Sequence, residues 1–93
     1  MALASTEVTT SAYVKIGDNT STITFQCQSN NPIVVNFTAS DSAPTATSPG
    51  LVYKHFEGEV KKTVTDLSHV SSAAYVWAKA LTGGTATVIY EDA

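Results

Sequence analysis

Apolar and polar residues alternate with a period of two along much of the chain, as they do in strands with one buried face. The cleanest run is Thr22 to Cys27, where Ile23, Phe25 and Cys27 share one face and Thr22, Thr24 and Gln26 the other. Ile33, Val35 and Phe37 repeat the pattern. Ala12, Val14 and Ile16 line one face of a shorter run, and Leu51, Tyr53 and His55 oppose Val52, Lys54 and Phe56 in another. Gly17-Asp18-Asn19, Ser29 to Pro32 and Glu57-Gly58-Glu59 read as turns between these runs. The spacing predicts a hairpin of 12–16 with 22–27. Val60 to Leu67 is ambiguous: Val60, Val64 and Leu67 have helical spacing, but the β-branched residues among them favour a strand, which is the expectation here.

The stretch from Ala73 to Glu91 organises the rest. Ala74, Val76, Ala78 and Ala80 lie on one face of its first run, with Tyr75, Trp77 and Lys79 on the other. Its second run sets Ala86, Val88 and Tyr90 against Thr87, Ile89 and Glu91. Between them Gly83-Gly84 supplies the positive φ of a tight turn, so a second hairpin is expected. Both faces carry large apolar groups. Either the chain covers both, or another chain covers one, and the second explanation is the expectation. Altogether about seven short strands with turn punctuation read as an all-β fold, a small antiparallel β-sandwich of jelly-roll or immunoglobulin-like type. It occupies residues 12–91 as one domain. Residues 1–11 read as a loose, Thr-rich N-terminal arm whose sizeable aliphatics are Leu3 and Val8, pinned by a neighbour. Ala39 to Gly50, with Pro44 and Pro49, is a long loop, either draped over a neighbour or crossing between sheets.

Size changes the picture. A domain of 93 residues buries only somewhat more than about 60% of its unfolded surface and usually needs help from disulfides, metal or association. Cys27 is the only cysteine, so no disulfide forms within the chain. It reads as a small buried hydrophobe on the Phe25 face. His55 and His69 are the only imidazoles, without zinc-ligand spacing. Association is what remains.

The net charge is −3, with five lysines, eight acids and no arginine. That balance argues against nucleic acid, which demands a basic patch. No run reaches the length of a membrane helix, and the first residues lack the features of a signal peptide, so a cytosolic origin is expected. No nucleophile elbow or phosphate-cradling glycine motif occurs, so neither catalysis nor a cofactor is expected. The Asn19-Thr-Ser21 and Asn36-Phe-Thr38 triplets match the glycosylation pattern by chance in so Ser/Thr-rich a chain.

An Ile-Val-Val-x-Phe strand leads into Ser-x-Ser-Ala-Pro. Gly-Leu-Val-Tyr and Glu-Gly-Glu follow, then Ala-Tyr-Val-Trp-Ala-Lys-Ala and a closing Thr-Ala-Thr-Val-Ile-Tyr-Glu. Over roughly residues 12–91 this order resembles the small β-sandwich structural proteins of tailed-bacteriophage virions: head decoration proteins, head-fibre bases and minor structural proteins. The resemblance implies a capsid decoration or stabilising subunit on the outer surface of the major capsid protein, or on other virion proteins. Such a subunit forms homo-oligomers, with trimers over local symmetry axes as one form, and is assembled in the bacterial cytoplasm. It implies no cofactor, metal, membrane or nucleic acid. The alternatives are a receptor- or glycan-binding module of a tail fibre, or a tail or neck subunit. The contact residues expected are Leu3, Val8, Pro44, Pro49, Tyr75 and Trp77.

Overall fold

The computed structural model describes residues 3–68 and 70–92. Among them are β1 (Ala4–Thr9), β2 (Val14–Gly17), β3 (Thr22–Cys27), β4 (Ile33–Thr38), β5 (Leu51–Tyr53), β6 (Gly58–Thr63), a single helical turn α1 (Val64–Leu67), β7 (Tyr75–Ala80) and β8 (Thr85–Asp92). They form two four-stranded sheets in the orders β1-β8-β3-β6 and β2-β7-β4-β5. Every pairing is antiparallel. The chain passes back and forth between the sheets, and the eighth strand returns to lie between the first and third. That order is the jelly roll.

The period-two patterns become the two inner faces. Ile23, Phe25 and Cys27 from one sheet meet Ile33, Val35, Phe37 and Val76 from the other, all buried. Burying each such side chain contributes about 1.5–3 kcal/mol. Ala78, Ala80 and Ala86 are also buried, and small residues at these positions let the layers approach closely. The result is a slab with extents of 31 × 28 × 17 Å.

The sheet assignment overturns both predicted hairpins. β7 and β8 lie in opposite sheets, and so do β2 and β3. Each connection is an arch over the end of the sandwich. The physical reason lies in β7 and β8 themselves: Val76, Ala78 and Ala80 enter the core from one layer, Ala86 and Val88 from the other. Gly84 takes φ 104° as anticipated. Its corner is held by Asn31 Nδ2, which donates to the carbonyls of Gly83 at 3.3 Å and Thr85 at 3.0 Å.

The stretch read as a loose arm is largely β1, which pairs with β8 from Ala4↔Tyr90 to Thr9↔Thr85. Of its residues Val8 alone is buried. One core contact per strand leaves too weak an alternation to see in sequence. Val60 to Leu67 divides between the two readings. Strand runs to Thr63, and then Val64 and Leu67 use helical spacing to reach the core. The turn assigned to Glu57-Gly58-Glu59 falls instead at Lys54 to Glu57, with the Glu57 amide donating to the Lys54 carbonyl at 2.8 Å. Gly58 serves a different need: a Cβ there would run into the backbone of Phe25 and Gln26 on β3.

Candidate functional site

The residues expected to bind a partner do not converge. Val8 is sealed in the core. Trp77, at 7% exposure, is buried with Tyr13 and Val34 on the outer face of the β2-β7-β4-β5 sheet, with Tyr75 half-buried beside them. Three contacts tie the 39–50 loop to this same sheet. The Tyr13 hydroxyl donates to the Ser48 carbonyl at 2.7 Å, Asn36 Nδ2 to the Pro49 carbonyl at 3.0 Å, and Lys15 Nζ to Asp41 at 2.9 Å. Burial raises the pKa of Tyr13, and the bond to Asp41 is the first cause of the raised pKa of Lys15. The ammonium also sits 5.7 Å and 6.0 Å from the ring centroids of Tyr75 and Trp77, within cation–π range.

The loop therefore joins neighbouring strands of one sheet, β4 and β5, and folds over that sheet. It is not the crossover between sheets that was one of the two expected roles. The two apolar faces of β7 are covered within the chain, against the expectation. Pro44 is half-buried and Pro49 exposed on the loop. Leu3 alone among the six lies on the other sheet's outer face.

That other face carries the feature the sequence concealed. Leu3, Ile89, Val60 and Phe56 line a shallow groove of about 340 Å³ across the β1-β8-β3-β6 sheet, floored by Thr24 and Gln26. Leu3 is 54%, Phe56 61% and Val60 70% exposed. The register builds the strip: Gln26 stands opposite both Ile89 and Gly58, and the missing side chain at Gly58 leaves the groove between them. Phe56 is held at φ 66°, a conformation costly for a bulky side chain. Its amide donates to the Cys27 carbonyl at 2.7 Å, and its carbonyl accepts from Gln26 Nε2 at 2.9 Å. The His55 ring stacks on it at 3.8 Å. A strained backbone is thus fixed so that an aromatic ring points into solvent.

Phe56 and Val60 were not singled out in the sequence. Phe56 falls in a run that reads as strand, and the adjacent Glu-Gly-Glu draws the turn one step too far along. Positive φ at a phenylalanine leaves no compositional mark.

Ionisable chemistry is dispersed. Among the described residues no three of His, Cys, Asp and Glu come close enough to hold a metal ion. His55 is exposed, and His69 lies outside the described residues. Cys27 is buried, with Sγ 3.2 Å from the Asn31 carbonyl. At the sandwich edge Tyr53 donates to Glu59 Oε2 at 3.0 Å; burial first, then Glu59, pushes its pKa well up. No described helix is long and apolar enough to cross a membrane. Comparison of the chain with protein-family models, with curated proteins and with solved structures gives no match.

Proposed function

We propose that the protein is a structural subunit of a bacteriophage virion, a capsid decoration or stabilising protein that docks on the outer surface of the major capsid protein. Jelly rolls are common in viral coats, but the fold hosts other functions too, and by itself it carries little weight. The observation that carries the reading is the strip of Phe56, Val60, Leu3 and Ile89. Its most exposed aromatic is held out by a strained backbone on a broad, flat sheet face. The slab's 31 × 28 Å face is of the same order as the about 800 Å² per partner of a standard interface. Many copies on a repetitive lattice make modest single contacts sufficient. The acidic, arginine-free composition suits the outside of a particle better than its DNA side.

Co-sedimentation tests the reading. Purified protein is mixed with particles assembled from the major capsid protein encoded in the same genome. Saturable binding is expected, lost in Val60→Asp. Failure of the wild-type protein to sediment with the particles would sink it. The glycan-binding alternative relied on an exposed Tyr75–Trp77 platform. Trp77 is buried within the chain beside Tyr13 and Val34, so no specific observation favours that alternative.

A further inference from the structure

The four edge strands of the sandwich are not equally protected. A free edge offers unpaired N–H and C=O groups to any other strand, and proteins blunt such edges with short strands, bulges and lysines. β5 is three residues long, and past its end Asn36 Oδ1 takes the Phe37 amide at 2.8 Å. β2 is four residues long with a register shift between Lys15 and Gly17. β6 has a register shift along its pairing with β3, a left-handed Lys61 at φ 51°, and Lys62 beside it. β1 has none of these devices. It runs six residues in unbroken register, without proline, glycine or lysine. Among the described residues its backbone bonds to no segment other than β8; a local bond from Thr6 Oγ1 reaches the Glu7 carbonyl at 3.4 Å.

We propose that β1 is a pairing edge and that its occupant is β1 of a second copy, antiparallel across a two-fold axis at Thr6. Strand geometry restricts the register. In a continuous sheet, residues facing the core must lie opposite residues facing the core. Centring on Thr6 sets Thr6 against Thr6, Ala4 against Val8 and Ser5 against Glu7 of the second copy. Centring on Glu7 would set two carboxylates against each other, which is unfavourable. With Thr6 at the axis each carboxylate meets a serine hydroxyl, and the β-branched threonines form the central pair.

The arrangement closes on itself. Pairing two identical edges uses both, and the far edge of each sheet is the blunted β6, so the eight-stranded sheet ends at the dimer instead of growing into a filament. Two-fold closure makes the unit a dimer, in place of the trimer that the resemblance suggested. Leu3 and Ile89 lie toward the β1 side of the groove, so the two copies present their strips on one continuous face. Only this last consequence, bivalent docking, rests on the proposed function.

The test uses the full chain. Sedimentation velocity across a dilution series is expected to show a dimer dissociating to monomer. Thr6→Lys places two ammonium groups at the axis and is expected to weaken the dimer by about tenfold or more, with circular dichroism at high dilution checking that the variant monomer is folded. Thr6→Cys is expected to give a single cross-linked dimer with a short bis-maleimide. The wild type serves as control because its one thiol, Cys27, is buried. A wild type that stays monomeric at every concentration overturns the pairing. So does a dimer that tolerates Thr6→Lys, or one that Thr6→Cys does not trap. Binding to capsid particles is measured separately, so loss of the pairing is distinguishable from loss of the docking reading.

Discussion

The indole nitrogen of Trp77 donates to Thr38 Oγ1 at 2.8 Å, and that same hydroxyl donates to the Ser40 carbonyl at 2.7 Å. One threonine thus links the buried tryptophan of β7 to the start of the 39–50 loop. Thr38→Val keeps the shape and removes both bonds, leaving the indole N–H without its acceptor. A loss of about 1–3 kcal/mol is expected. Trp77→Ala also empties the outer pocket, for a loss of about 3–5 kcal/mol. Urea denaturation followed by circular dichroism measures both. A stable Trp77→Ala would mean that the outer cluster contributes little.

Phe56 separates stability from binding. Glycine at this position tolerates φ 66° and removes an exposed aromatic. Phe56→Gly is therefore expected to melt no lower than the wild type, or somewhat higher, while binding to capsid particles falls. Calorimetry and co-sedimentation on the same preparation check the two halves. A lower melting temperature would show that the ring supports the fold.

Two glycines make opposite predictions. A Cβ at Gly58 meets the backbone of β3, which cannot yield cheaply, whereas at Gly83 it meets nothing within 4 Å. Gly58→Ala is expected to destabilise by more than about 2 kcal/mol. Gly83→Ala should stay within about 0.5 kcal/mol of the wild type, as most surface substitutions do. Parallel denaturation curves compare them.

Alkaline pH should unfold the protein through its buried phenols. Tyr53 and Tyr13 both have pKa values raised above the ordinary 10.0, first by burial. Their neutral forms are favoured in the folded state, so this contribution is fully present below pH 10 and is lost as pH rises beyond it. Tyr53→Phe should be less stable at neutral pH, where it leaves Glu59 without its donor. Its loss of stability from pH 10 upward should be shallower than that of the wild type. Denaturation midpoints across the alkaline range test the difference in slope.

The layer structure was legible because β3 alternates cleanly and β4 does so apart from Val34, and their inner residues are the ones the sequence marks: Ile23, Phe25, Cys27, Ile33, Val35 and Phe37. Partners were not legible. Two apolar-alternating runs around Gly83-Gly84 satisfy a hairpin and an arch equally, because local pattern records which face is buried and not which sheet supplies the cover. Trp77 shows the same limit. Its neighbours Tyr13 and Val34 come from distant runs, and nothing local reveals that Ser48 lies over them. β1 was hidden by its near-uniform polarity, and the exposed strip by a backbone angle at Phe56 that composition does not encode.

Only β4 and β5 are both consecutive along the chain and adjacent in a sheet. Every other pairing joins segments separated by at least one intervening strand, so few contacts can form early and locally. β8 sits between β1 and β3, which means that its sheet has no centre until that strand pairs on both sides. Refolding from denaturant should be slow for so small a polypeptide, in the range of milliseconds to seconds that non-local β topologies impose.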